Sequence, residues 1–369
     1  MVVEFEWSAE QLELRSTVRA LLDRHAPVAA ARRLAEHGQR QDPELWRALA
    51  ESGLTALAVP EEYGGAAGPD GAGAVELCIV AEEMGRRLTG GPYLSTAVLA
   101  TAALRTAGDD DCNAEHLPAI ADGTSTATLA VRTGGTPARV RDGRVTGDWT
   151  GVPDGADADL LLLVAAEPDG GPSLFAVRRD NPGVTTSALE VLDGTKGLAT
   201  VTLTDVPAQR VGTPGSAGAV LDAVAVTAAL FLAAEQAGAC AQVVQVTAEY
   251  ARTRRQFGRA VGQFQGVKHR LADMSVRSEN AVSAAFHAAW QPPGSPEQRT
   301  GAAVAARYAT VAFSQLSRDM IQLHGGIGFT WEHDAHLYLR RARADQQLLA
   351  VYGPPVSVLE DAMLVEAGA

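Results

Sequence analysis

Over the first third of the chain, apolar residues return at helical intervals. Leu14, Val18, Leu21 and Leu22 follow Ser8-Ala9-Glu10-Gln11 at i, i+4, i+7 and i+8, and that opening has the form of a capping box, so an amphipathic helix is expected there. Similar patterns over 43–52, 74–88 and 94–105, the last after the Gly90-Gly91-Pro92 break, predict an all-helical region. From about His116 the pattern changes. Short β-prone runs at 126–131, 144–147, 160–165, 173–177, 184–189 and 200–204 alternate with hairpin-type connections such as Arg141-Asp142-Gly143-Arg144, which predicts a small sandwich or barrel. A long apolar-rich helical pattern then runs from about Val220 to Thr253. A second helix carries Phe264, Val267, Leu271 and Met274 and stops at the proline-rich break 292–296. A third runs from Glu297 toward His324, and a fourth from Ala335 to Leu349. The expected class is α+β in three parts: an N-terminal α-helical domain over 1–115, a middle β-domain over 116–212 and a C-terminal four-helix bundle over 213–369.

Composition narrows the partners. The 369 residues are 46% hydrophobic and 20% charged with a net charge of -13, which argues against a polybasic surface for nucleic acid or anionic lipid. The stretch from Met1 to Trp7 lacks the basic head and apolar core of a signal peptide, and the longest apolar run, Ala223 to Ala234, is too short to span a bilayer. A cytoplasmic location without a membrane span is expected. Cys78, Cys112 and Cys240 are scattered and form no C-x-x-C pair, so neither a disulfide framework nor a zinc site is suggested.

Two stretches carry candidate chemistry. Arg254-Arg255-Gln256-Phe257-Gly258, continuing to Gly262, Phe264 and Gln265, is a basic, glycine-punctuated joint between two helices. A forked guanidinium there suits a pyrophosphate, and the plainer alternative is a solvated helix end. The stretch from Gln322 through His324-Gly325-Gly326-Ile327-Gly328-Phe329 reads as a helix end whose glycines let backbone N–H groups approach a ligand, or simply as a Gly-rich terminus. No strand precedes it, and its spacing is not that of the G-x-G-x-x-G fingerprint. Upstream, Leu57-Ala58-Val59-Pro60-Glu61-Glu62-Tyr63-Gly64-Gly65 punctuates a helix connection, and Ala81-Glu82-Glu83-Met84-Gly85-Arg86 follows. In order and spacing these segments resemble the acyl-CoA dehydrogenase family, and the resemblance extends over essentially the whole chain.

The resemblance implies FAD lying at a subunit interface of a homo- or hetero-oligomer, a dimer or tetramer. Arg254 would hold its pyrophosphate, with Gln256 and Phe257 in the same pocket and Gln265 starting the next helix. Gln322, Gly325, Gly326 and Gly328 belong to the segment that touches the dinucleotide from the adjacent subunit. The reaction implied is α,β-dehydrogenation of an acyl thioester, on CoA or a carrier protein, with electrons passed on to an electron-transfer acceptor. The match is uneven. Where the family has Thr-Glu-Pro and Gly-Ser-Asp, this chain has Arg132-Thr133-Gly134-Gly135-Thr136. Where it has Trp-Ile-Thr-Asn-Gly, this chain has Gly151-Val152-Pro153-Asp154-Gly155, with Trp149 two residues upstream read as an ordinary strand aromatic.

The family's base is a Glu, and its two usual positions fall on Leu349 and Ala228, neither of which accepts a proton. Glu235, two helical turns after Ala228 and on the same face, is the replacement candidate, against the alternative of a buried or interfacial structural carboxylate. Asp345 and Glu332 are further carboxylates near the Gly-rich stretch. His324, His333 and His336 lack a convincing third ligand and read as polar helix-end residues without a metal, and Arg340-Arg341-Ala342-Arg343 reads as an interface or solvent face. The leading expectation is a flavoprotein subunit paired with a base-bearing chain. The alternatives are a homomeric enzyme with a relocated base such as Glu235, and a catalytically silent structural subunit or scaffold.

Overall fold

The computed structural model describes residues 6–37, 41–68, 73–131, 138–168 and 170–359. Helix α1 (Ala9–His25) starts at the capping box: Ser8 Oγ accepts from the Gln11 N–H and Gln11 Oε1 accepts from the Ser8 N–H, each at 3.2 Å. Helices α2 (Val28–His37), α3 (Pro43–Glu51) and α4 (Ala74–Arg87) follow, and a wide-turned segment Leu94–Ala100 runs on into α5 (Thr101–Ala107). Asp109 then caps α6 (Asp110–Ala121), whose Cys112, Leu117 and Ile120 are buried, so the helical region continues to Ala121, beyond the expected boundary at 115.

The middle region holds β1 (Ala127–Ala130), β2 (Arg139–Arg141), β3 (Arg144–Pro153), β4 (Leu160–Ala166), β5 (Pro172–Arg178), β6 (Val184–Ala188), β7 (Leu198–Pro207) and β8 (Gln209–Val211). The described strands form one continuous hydrogen-bonded path in the order β6-β7-β3-β2-β4-β5-β8, with β1 alongside β4 in parallel, and β3 and β7 share a core with β4 and β5, as a small sandwich or barrel requires. The unbroken apolar run Leu160–Leu163 lies in the middle of this path. It is buried on both faces: Leu161 and Leu163 join Trp149, Phe175, Val201 and Leu203 in a local core, while Leu160 and Leu162 join the main helical core. One sheet therefore serves two cores.

The C-terminal bundle consists of α7 (Ala217–Thr253), α8 (Gln265–Ala289), α9 (Pro296–His324) and α10 (Ala335–Tyr352), with a small hairpin of β9 (Arg255–Gln256) and β10 (Arg259–Ala260) after α7. Helix α7 is long and apolar enough to cross a membrane by length and composition, but here it is the central core helix, packed by α4, α8, α9 and α10. Its crossing with α4 is backbone against backbone. A Cβ on Gly85 would sit 1.8 Å from the Glu235 carbonyl oxygen, and one on Gly238 would sit 1.9 Å from that of Glu82, so only glycine fits at either point.

Candidate functional site

The two candidate nucleotide stretches meet at one end of the bundle. Tyr250, in the last turn of α7, donates its hydroxyl to the His324 carbonyl at 3.2 Å and stacks on the His324 ring with centroids 4.2 Å apart. This contact joins the ends of α7 and α9. Arg254 follows as the extended C-cap of α7, and its carbonyl accepts from the Val261 N–H at 2.8 Å, closing the hairpin. Phe257 and Gly258 make the turn with φ of 51° and 81°, which places an aromatic residue in left-handed backbone while leaving it 90% exposed. That conformation costs about 1 kcal/mol for a non-glycine residue, and burial within the chain does not offset it. Arg259 lies over the Phe264 ring at 4.0 Å, and Phe257 meets the same ring edge-on at 6.2 Å.

Arg254, Gln256, Gln265, Gln322, Gly325 and Gly326 all face solvent. Among the described residues no carboxylate pairs with Arg254. A Cβ on Gly325 or Gly326 would meet nothing within 4 Å, so ligand atoms can approach the bare backbone. Gly328 is different: it is buried, and a Cβ there would lie 3.0 Å from the Ile321 carbonyl oxygen, so it seats the turn against α9. An unpaired guanidinium, exposed amides, an exposed ring and open glycines fit the diphosphate–adenosine side of FAD.

The opposite, ring-binding side is organised differently. Arg132-Thr133-Gly134-Gly135-Thr136 lies outside the described residues. Trp149 is fully buried in the core of the sheet and donates Nε1–H to the Val164 carbonyl at 3.2 Å, so it is the strand aromatic the sequence suggested. At the end of β3, Asp154 accepts from Ser95 Oγ at 2.7 Å. Leu349 lies within α10, which continues to Tyr352, and the Tyr352 hydroxyl donates to the Leu129 carbonyl at 2.8 Å. Thr96 Oγ1 accepts from the Ala127 N–H at 2.9 Å and donates to the Ala127 carbonyl at 3.0 Å. The chain's own hydroxyls therefore occupy the backbone of β1 beside the usual base position. Ala228 is completely buried.

Glu235 does not stand as a free proton acceptor. Lys196 Nζ donates to its two oxygens at 2.9 and 3.0 Å, and Arg341 Nη1 donates to Oε1 at 2.6 Å. The structural-carboxylate alternative describes its surroundings. Arg341, expected on an interface or solvent face, is instead fully buried: Nε donates to Asp193 at 2.7 Å, and Nη2 donates to Thr195 Oγ1 at 2.5 Å and to the Leu88 and Thr89 carbonyls at 3.1 Å each. Asp345, one turn along α10, is also fully buried, and neither of its oxygens has a hydrogen-bond partner. The third carboxylate weighed from sequence, Glu332, is exposed.

Charge balance explains this cluster. Burial alone would depress the Arg341 guanidinium, but Asp193 and Glu235 around it push it up. Burial would raise Asp193, yet Arg341 and Thr195 hold it below the usual carboxylate range. Burial, reinforced by Glu235, drives Asp345 well above that range. Burial thus favours the neutral acid at Asp345, while Lys196 and Arg341 face Asp193 and Glu235 as two cations against two carboxylates. The sequence signals for this cluster were slight: Arg341 and Asp345 stand at i, i+4 on one helix face, and Lys196 is one of only two lysines in the chain.

The histidines behave as polar helix-end groups. His324 Nδ1 lies 2.7 Å from the Met320 carbonyl, its ring is 4.4 Å from that of His333, and burial lowers the pKa of His324, His333 and His336 alike. Among the described residues no group of His, Cys, Asp and Glu is placed to hold a metal ion.

Comparison with known proteins accords with this geometry. The family model for the acyl-CoA dehydrogenase N-terminal domain matches residues 8–124, and that for the acyl-CoA dehydrogenase C-terminal domain matches 225–348. Acyl-CoA dehydrogenase IpdE2 of Mycolicibacterium smegmatis is 36% identical over 94% of this chain and 96% of its own length. Among solved structures, the ChsE4-ChsE5 complex from Mycobacterium tuberculosis superposes with a TM-score of 0.86 at 29% identity, covering 100% of both chains. Butyryl-CoA dehydrogenase from Megasphaera elsdenii shares the fold, with a TM-score of 0.89 at 21% identity over 98% of this chain and 100% of that one.

Proposed function

The chain belongs to the acyl-CoA dehydrogenase family, and from that premise we propose that it is an FAD-dependent dehydrogenase subunit that works with a second, base-bearing chain. The pair would oxidise an acyl thioester, carried on CoA or on a carrier protein, to the 2,3-enoyl form and pass electrons to an electron-transfer acceptor. FAD, when bound, supplies the acceptor for the hydride that leaves the β-carbon. This chain's part is binding. Arg254 would neutralise the diphosphate, Gln256, Gln265 and Gln322 would donate amide hydrogen bonds, Phe257 would cover the nucleotide, and Gly325-Gly326 would admit it against the backbone. The reading places the protein in the cytoplasm, in keeping with three buried free thiols.

One observation carries the partner-subunit reading: the dinucleotide grip is exposed and, among the described residues, Arg254 has no carboxylate partner, whereas the usual base positions are Leu349 and Ala228. The similarity to a structure of two different subunits supports the same reading. A homomeric enzyme using Glu235 is less well supported, because that carboxylate is held by two cations. The test is to purify the chain alone and together with the product of its neighbouring gene. We expect flavin absorbance and dye-linked acyl-thioester oxidation only in the joint preparation. A yellow, active lone chain would sink the partner-subunit reading, and flavin in neither preparation would favour the silent scaffold.

A further inference from the structure

A cavity of about 640 Å³ opens on the other side of α7, enclosed by α4, α5 and the connection between α8 and α9. Its α7 wall is the stripe Ala219, Ala223, Val226 and Leu230, at i, i+4, i+7 and i+11. Ala228 lies two residues from both Val226 and Leu230, about 200° of helical rotation, and so faces away from the cavity. Arg254 stands a further 24 residues along α7 from Leu230 (254 − 230), roughly 36 Å at 1.5 Å per residue. The cavity is therefore separate from the usual base position and from the dinucleotide grip.

Its chemistry is amphipathic. Leu77, Val98, Leu230 and Phe231 form a buried apolar interior, and small residues such as Ala58, Gly73, Ala102 and Ala223 leave the volume open. Two arginines, Arg105 and Arg299, line the same cavity, and Asp222 is the one lining carboxylate among the described residues. Arg105 is fixed by donating Nη1–H to the Ala58 carbonyl at 2.8 Å. Among the described residues no carboxylate pairs with either arginine, and both arginines are exposed, so their charges remain available to a ligand. The volume is that of a site for one small organic molecule, with apolar walls and a few polar groups in its lining.

We propose that this cavity binds a monocarboxylic acid with an apolar body, its carboxylate held by Arg105 and Arg299 and its hydrocarbon packed against Leu77, Val98, Leu230 and Phe231. Forked guanidiniums suit a planar carboxylate, and the two cations outnumber Asp222. A thioester-bound acyl group lacks that charge at its carbonyl end, so the site selects the free acid.

Calorimetric titration of the full-length chain with sodium decanoate, and separately with 1-decanol, tests the proposal. Saturable binding of decanoate is expected, at least ten-fold tighter than decanol. The double variant Arg105→Gln/Arg299→Gln should lose at least ten-fold in decanoate affinity and leave decanol unchanged. Ala223→Phe should abolish binding of both by filling the space, with thermal unfolding checking that each variant is folded. No saturable decanoate binding, equal affinity for acid and alcohol, or binding that survives Ala223→Phe would overturn the proposal. So would loss of decanoate binding when the second subunit joins, because the face would then belong to an interface. None of these readouts depends on flavin content or turnover, so failure here leaves the dehydrogenase reading intact, and the reverse also holds.

Discussion

Helix α7 carries charge in two opposite ways. In mid-helix, Glu235 is 1% exposed and lies in a matched set, Lys196 and Arg341 against Glu235 and Asp193, with burial pushing Asp345 beside them toward its neutral form. At the C-terminal end, Arg254 faces solvent with no carboxylate partner among the described residues, next to a strained and exposed Phe257, and the backbone of Gly325 is open at the same end of the bundle. Saturated, buried charge holds elements together, here the 189–198 connection, α7 and α10. Unsatisfied, exposed charge is held ready for something outside the chain. The sequence already sets Arg254, inside a family motif, above Glu235, for which a structural carboxylate was the alternative, and burial and partners then separate architecture from recognition.

The comparison breaks first, if it breaks, at Arg341. Arg341→Met should strand the buried Asp193 carboxylate, leave Glu235 with Lys196 alone, and lower unfolding stability by about 4 kcal/mol, the range for removing one partner of a buried ion pair. Urea denaturation followed by circular dichroism measures it. A loss under about 1 kcal/mol would mean that the cluster is not the anchor its geometry suggests.

Arg254→Gln should do the reverse. With the guanidinium exposed and unpaired, stability should stay within about 0.5 kcal/mol of the parent. Retention of FAD by the assembled enzyme should fall about 30-fold, equivalent to about 2 kcal/mol for a charge-assisted hydrogen bond. A variant that loses stability and keeps its flavin would exchange the roles assigned to the two regions.

Most of the α–β–α plan was legible because it depends on local periodicity. The Ser8–Gln11 cap, the strand runs and the four bundle helices fall where the apolar spacing put them. The ends of the dinucleotide stretches were legible too, since glycines and an Arg-rich joint announce a turn. Helices α2 and α6 were missed because alanine-rich and acidic openings blur the stripe, and the burial of β4 on both faces was not legible because Leu160–Leu163 looks the same whether one face or two are buried. The ion cluster was illegible for another reason. Its contacts join residues 106 and 148 positions apart, and a run such as Arg340-Arg341-Ala342-Arg343 does not declare which of its members turns inward.

The smallest expected effect concerns the sign of a pH dependence. Asp345 has a folded-state pKa raised by burial and by Glu235, so the folded chain keeps a proton that the unfolded chain releases earlier. That contribution is fully present below the ordinary carboxylate range and is lost as pH rises through the folded value. Asp193, whose folded pKa is lowered, contributes stability above the ordinary range that is lost as pH falls through its folded value. The two groups therefore oppose each other across the pH scale. Asp345→Asn replaces a neutral acid with a neutral amide of similar shape, so stability at pH 5 should change by less than about 1 kcal/mol. The decline on the alkaline side should flatten while the acid side is retained, which urea titrations from pH 4 to 9 would resolve. If the alkaline decline persists unchanged, Asp345 is ionised in the folded chain, and the balance of Lys196 and Arg341 against Asp193 and Glu235 does not describe the core of the molecule.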